Sequence, residues 1–256
     1  MSCQIIRFNE DVRSRKLETR GYVKRSNPRK DEWIQQTLPS DGLVLDVGCG
    51  IGYNAMLASE KGNRVIGIEI SSSNAQEAQD NGVLVAVGNV ESHLPTKSGM
   101  FDAVIFLEVV EHLFEPYQTL REIERCLKPG GKLLISTPNV TFWRNRILFL
   151  FGRPIFVDRN ETMRPWEHEH IRFFTFRSIC ELLDKTGFET VGVKGSFTRF
   201  PGALAEFVFM PLNYFLLAFG KLVGSLEILR DRWPSVWAAG LWIEAHKRSG
   251  NTPKVE

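Results

Sequence analysis

The segment VLDVGCGIGYNAML, residues 44–57, sets an acidic residue and three glycines at every second position behind a short apolar run. The run reads as a strand ending in Asp46, followed by Gly48, Gly50 and Gly52 and then by a helix. Glycine reaches positive φ at little cost and carries no Cβ, so the chain turns tightly here and its backbone can lie close to a bound group. The amide N–H groups of the first helical turn then face that group. The next strand ends in Glu69, nineteen residues after Gly50, where a βαβ unit places a carboxylate to accept both hydroxyls of a ribose. The pocket therefore expects a nucleoside. A dinucleotide fingerprint requires a third glycine at position 53; Tyr53 stands there, which disfavours a nicotinamide or flavin cofactor.

Outward from this stretch, apolar runs alternate with helical patterns, the signature of an α/β, doubly wound fold on a parallel sheet. Strands are expected at Leu43–Val47, Arg64–Ile68, Leu84–Val87, Phe101–Leu107 and Lys132–Thr137. Helices are expected near residues 53–61, 72–80 and 116–127, the last ended by KPGGK. TFRSICELLDKTGF reads as a further amphipathic helix stopped at Gly187, with the strand ETVGVKG after it and a final strand in AAGLWIEAHK. No linker rich in proline or serine divides the chain. One domain is expected: a helical leader over 1–40, a core over 41–196, an apolar helical cap over 197–234 and the last strand over 235–247.

With 256 residues, 43% of them apolar, the chain can bury a sizeable core. Cys3, Cys49, Cys126 and Cys180 form no C-x-x-C pair, so neither a disulfide framework nor a zinc knuckle is indicated, and a cytoplasmic location fits. The N-terminus has no apolar run of the secretory type. The net charge of +2 conceals a basic leader: residues 12–30 hold eight Lys or Arg and the single acid Glu18. Such a stretch suits phosphate, RNA or an anionic membrane surface, or is a solvated face.

LDVGCGIG resembles the first motif of the class I S-adenosylmethionine (SAM)-dependent methyltransferases, and the resemblance extends over roughly residues 40–195. It implies a Rossmann-like, seven-stranded mixed sheet with helices on both faces and an antiparallel last strand. It also implies that SAM binds at Gly48, Gly50 and Gly52, with Asp46 and Cys49 in the same loop and Glu69 on the ribose. Asn89 stands where the family usually has an acid for the adenine amino group, and its amide oxygen offers an acceptor. Val90 and Leu107 complete the expected cofactor set.

Methyl transfer from a sulfonium is an in-line displacement on an activated electrophile, so the protein mainly aligns the acceptor and removes its proton. EVVEH follows the fourth strand: Glu108, Glu111 and His112 are spaced i, i+3, i+4 and share one side of a helical turn. That spacing suits a divalent cation, or a base with its orienting acid; first-turn acids also simply complement a helix dipole. The stretch is similar to the ubiquinone-biosynthesis O-methyltransferases and to small-RNA 3′-terminal 2′-O-methyltransferases, in which the matching acids and histidine hold a divalent ion. The RNA enzymes add a later histidine, for which EHEHIRFFT offers His168 or His170. Glu111, His112 and His170 are thus expected to border the acceptor, with Glu108, Glu111, His112 and His170 as the candidate metal set.

NVTFWRNRILFLFGRPIFV, residues 139–157, mixes aromatic and aliphatic bulk with Arg144, Arg146 and Arg153 where class I enzymes build acceptor lids. Residues 203–226 are apolar almost throughout, but the uncharged run Phe207–Gly220 has fourteen residues and contains Pro211, too short to span a bilayer. It reads as core, as a cap over an apolar acceptor, or as an interfacial helix making peripheral membrane contact. The leading expectation is O-methylation of a small or lipid-linked metabolite. The alternatives are a metal-assisted RNA 2′-O-methyltransferase, opposed by near-neutral charge and the lack of a recognisable RNA-binding module, and a non-catalytic SAM-binding partner protein. HIRFFTFRSICELLDKTGF further resembles the ubiquinone-biosynthesis and methionine-biosynthesis W-like enzymes.

Overall fold

The computed structural model describes residues 27–152, 169–196 and 238–249. Most of the basic leader, Cys3, Arg153, His168 and the apolar 203–226 stretch lie outside these residues. In chain order the elements are α1 (Pro28–Thr37), β1 (Leu43–Val47), α2 (Tyr53–Ser59), β2 (Arg64–Glu69), α3 (Ser72–Asp80) and β3 (Leu84–Val87). These are followed by β4 (Phe101–Leu107), a 3-10 turn (Val110–His112), α4 (Pro116–Cys126) and β5 (Leu127–Pro138). The remainder is α5 (Trp143–Leu150), α6 (Phe176–Lys185), β6 (Phe188–Ser196) and β7 (Gly240–Lys247). No helix among the described residues is long and apolar enough to cross a membrane.

The seven strands order as β3-β2-β1-β4-β5-β7-β6, with β7 antiparallel to both β5 and β6 and the other pairs parallel. The expected doubly wound mixed sheet is therefore present. Strand order reverses between β1 and β4, and in such sheets the crevice at that reversal receives the ligand. The β5 strand begins earlier than the sequence reading placed it. KPGG does not end the pairing: Phe101 pairs with Leu127, and the register then skips to Ala103 opposite Lys132. Gly130, at φ 71°, lets the chain make that bulge.

Alternation of side chains divides the core between the two faces of the sheet. Leu45, Val104, Phe106, Leu133, Ile135 and Ile243 pack with Leu120 and Ile123 of α4 and Ile179 and Leu183 of α6. Val44, Ala103, Ile105, Leu134 and Trp242 pack on the other face with Trp33 and Ile34 of α1 and Ala58 of α2. Helix α1 starts where Asn27 accepts the Lys30 N–H and Pro28 occupies the first turn. The stack of Trp33 on Trp242, 5.9 Å between ring centroids, fixes α1 to the sheet. Helix α6 opens with a reciprocal capping box between Thr175 and Ser178. Helix α5 buries none of its side chains.

Candidate active site

The strand-to-helix turn after β1 takes the form its glycines require. Gly48, Gly50 and Gly52 have φ of 73°, 54° and 85°. A Cβ on Gly48 would lie 2.6 Å from Val109 Cγ2, so the loop runs directly against the segment that follows β4. A Cβ on Gly50 would meet nothing within 4 Å: the space in front of this residue is open to a ligand. Glu69, 7% exposed, closes the turn, because Gly50 N–H donates to Oε2 and Ser71 N–H to Oε1, each at 2.8 Å. A carboxylate oxygen has two acceptor positions, and one on each oxygen remains for a pair of ribose hydroxyls. The loop, Glu69 and the open space fit the nucleoside and methionine parts of SAM.

The other expected cofactor residues contribute unequally. Asp46 is buried at the end of β1. The Cys49 side chain packs into the small core beneath α2 and α3, and burial followed by the charges of Asp46 and Glu69 pushes its thiol far up. The Cys49 N–H donates to Ile68 O at 3.1 Å and its thiol to Gly50 O at 3.7 Å. Asn89 Oδ1 accepts the Glu91 N–H at 3.0 Å, which fixes the amide and leaves a second acceptor position for an adenine amino group. Val90 and Leu107 are each 7% exposed and are mainly core.

After β4 the chain departs from the continuous helical turn that the EVVEH spacing suggests. Glu108 adopts φ 57°, a left-handed conformation that costs a non-glycine residue about 1–2 kcal/mol. Its N–H donates to Ser136 O at 3.0 Å, and its Oε1 accepts the Ser136 hydroxyl at 2.6 Å and the Lys30 ammonium at 3.0 Å. Those bonds hold the strained residue in place and separate it from the 3-10 turn that carries Glu111 and His112. The carboxyl is 46% exposed yet crowded. Desolvation opposes its ionisation, but Lys30, Ser136 and nearby His170 outweigh that and hold its pKa below the ordinary value.

Glu111 behaves in the opposite way. It is 1% exposed, and neither carboxylate oxygen has a hydrogen-bond partner among the described residues. The Thr137 hydroxyl lies beside it without meeting hydrogen-bond geometry. Burial, and then repulsion from Glu108, push the Glu111 pKa up to about 9, so that it is a neutral acid at neutral pH.

His112 is oriented by a strap from a distant part of the chain. Its Nδ1 is 3.0 Å from the Glu169 carbonyl oxygen, and since a carbonyl can only accept, Nδ1 carries a proton and donates it there. The strap is fixed to the 3-10 turn: Ile171 and Arg172 N–H groups both donate to Glu111 O at 3.0 Å. The Arg172 guanidinium donates to Leu113 O at 3.3 Å and Phe114 O at 2.6 Å. His170 is thereby brought edge-on to His112, 4.7 Å between ring centroids. Ligand atoms of Glu111, His112 and His170 all lie within 4.8 Å of one another. The fourth residue of the expected metal set, Glu108, is not in this group; its carboxylate is held by Lys30 and Ser136.

Four contributors were not evident from the sequence. Lys30 looked like one more charge in a basic leader, and Ser136 and Thr137 like ordinary strand residues. Arg172 carried a signal only through its place in HIRFFT.

Comparison with known proteins places this geometry in a family. Residues 22–193 match the methyltransferase domain. The chain is 33% identical over 156 residues to a probable S-adenosylmethionine-dependent methyltransferase of Mycolicibacterium smegmatis, covering 60% of this chain and 54% of that protein, so it spans about half of that relative's length. It is 26% identical over 199 residues to the ubiquinone biosynthesis O-methyltransferase of Vibrio parahaemolyticus, covering 73% of this chain and 82% of that one. Its fold is shared with the crystal structure of a SAM-dependent methyltransferase of Thermotoga maritima described as a possible histamine N-methyltransferase. That pair has a TM-score of 0.58 at 21% identity, over 86% of this chain and 87% of that one.

Proposed function

Given that the chain belongs to the methyltransferase-domain family and is a SAM-dependent methyltransferase, we propose that it methylates a hydroxyl oxygen of a small or lipid-linked metabolite. One observation carries this reading. The glycine turn after β1 lies against Val109, so the open face at Gly50 and the tautomer-fixed His112 belong to one crevice at the strand reversal. The similarity to ubiquinone-biosynthesis O-methyltransferases supports oxygen as the acceptor atom. Exposed Ile171 and Phe173 on the strap beside His170 support an apolar acceptor.

When bound, SAM supplies a methyl group on a sulfonium that needs no further activation. Gly48, Gly50 and Gly52 admit its backbone-lined part, and Glu69 accepts its ribose hydroxyls. Nε2 of His112 takes the proton from the acceptor hydroxyl as the oxygen attacks, while Nδ1–H stays on the Glu169 carbonyl. The ring becomes an imidazolium. His170 packs on His112 and limits how the ring can turn.

Transfer of a labelled methyl group from SAM into cell extract, fractionated and repeated with EDTA, tests the proposal. Label is expected in the organic-soluble or aqueous small-molecule fraction and should persist with EDTA. His112→Ala is expected to lower that transfer about a hundredfold, the scale of a lost general base. The Glu111, His112 and His170 grouping favours the second reading, a metal-assisted RNA methyltransferase; label confined to nucleic acid and abolished by EDTA would replace the first reading with it. Tight SAM binding with no label in any fraction would leave a non-catalytic partner protein.

A further inference from the structure

We infer that Lys30 is the resident cation of the acceptor pocket, standing at Glu108 where the enzymes this chain resembles hold a divalent ion, so that turnover needs no added metal. The inference rests on the acceptor-pocket reading above and extends it to the charge that organises the pocket.

The Lys30 ammonium is 3.0 Å from Glu108 Oε1 and 3.1 Å from Ser136 Oγ, and Ser136 itself donates to the same Glu108 oxygen at 2.6 Å. The three groups form a closed triangle at the ends of β4 and β5. Lys30 is only 19% exposed, unlike a casual surface partner, and its position is set by α1 from several directions. Asn27 caps the helix at the Lys30 N–H, and Trp33 stacks on Trp242 of β7. The adjacent Asp31 accepts the Tyr53 hydroxyl at 2.7 Å, tying α1 to the helix after the glycine loop. One short helix thus joins the cofactor side to the acceptor side.

This placement conflicts with a dication at Glu108. A second cation there would meet the ammonium at close range, and the two would repel. One Glu108 oxygen, Oε1, already accepts two hydrogen bonds. An ammonium has three donors; two are used on Glu108 and Ser136, and the third has no partner among the described residues, which suits an oxygen of the acceptor. Lys30 is therefore a positioning residue: it holds Glu108 in its strained conformation, and through the third donor helps seat the acceptor.

The test is a Mn2+ titration of the full chain with SAM present, by calorimetry and by electron paramagnetic resonance, beside turnover with and without EDTA. Wild type is expected to bind no stoichiometric Mn2+ and to be indifferent to EDTA. Lys30→Met is expected to keep its SAM affinity, to lose about tenfold in turnover, the scale of a hydrogen bond to a charged group, and to acquire one Mn2+ site. Adding Glu108→Gln to Lys30→Met should remove that site, and Lys30→Arg, which restores a cation, should show none. Glu108→Gln alone, with Lys30 in place, should also lose about tenfold and bind no Mn2+; it serves if Lys30→Met does not fold. Stoichiometric Mn2+ on wild type that His170→Ala abolishes would overturn the inference, as would a Lys30→Met protein with wild-type turnover. Because the titration uses no acceptor, its failure is distinguishable from failure of the O-methylation reading.

Discussion

The two halves of the crevice are built by different means. The proposed cofactor half comes from one contiguous βαβ unit: backbone at Gly48, Gly50 and Gly52, plus a side chain, Glu69, whose oxygens are held by the N–H groups of Gly50 and Ser71. The proposed acceptor half comes from side chains brought together from four places: Lys30 on α1, Glu108 to His112 after β4, Ser136 and Thr137 on β5, and the strap at residues 169–172. A site made of remote side chains can be rearranged one residue at a time, and its two glutamates show how far: Glu108 is held charged by Lys30, while burial drives Glu111, three residues later, to the neutral form.

If the halves are separable, variants in each should break one and spare the other. The largest effect is expected from Glu69→Ala, which removes both the ribose acceptor and the brace of the glycine turn. SAM affinity should fall about a hundredfold or more, since two charge-assisted hydrogen bonds are lost, with turnover at saturating SAM largely retained; calorimetry and steady-state kinetics measure the two. Unchanged SAM affinity would mean that Glu69 serves only the turn.

Arg172→Met addresses the other half. Loss of its bonds to the Leu113 and Phe114 carbonyls should loosen the strap that sets the His112 tautomer, lowering kcat about tenfold, as expected when a catalytic group is slightly misplaced. SAM affinity should stay at the wild-type value. A parallel fall in SAM affinity would show that strap and cofactor loop act as one unit.

The smallest effect sharpens the contrast between the two glutamates. Because the pKa of Glu111 is raised from 4.5 to about 9, the folded chain keeps a proton that the unfolded chain releases across that window, so stability falls as pH rises through it. Glu111→Gln has no proton to lose. Its Tm should gain on wild type by a few degrees between about pH 5 and about pH 8, as read by differential scanning calorimetry. A gap that does not change with pH would show that Glu111 is ionised in the folded protein.

Much of the fold was legible because it depends on local signals. Glycines at alternate positions after an apolar run announced the turn, and short apolar runs between helical patterns announced the strands, since both report what a few neighbouring residues can do. The β5 start was misread because KPGGK ends a helix and bulges a strand with the same residues; pairing of Leu127 with Phe101 decided between them. The geometry of EVVEH was not legible. Its spacing placed three side chains on one helical side, whereas the left-handed Glu108 breaks that path, and only the bonds from Lys30 and Ser136 stabilise such a conformation.

By itself the sequence determined that this chain makes a glycine-rich turn after its first strand and sets a carboxylate nineteen residues after Gly50, because those features are written within one βαβ unit. The tertiary structure alone decided which charges meet in the acceptor pocket. Lys30 reaches Glu108 across 78 positions, and His112 reaches the Glu169 carbonyl across 57. Contacts at such separations follow from how α1 and the strap pack on the sheet, and no local pattern of residues encodes them.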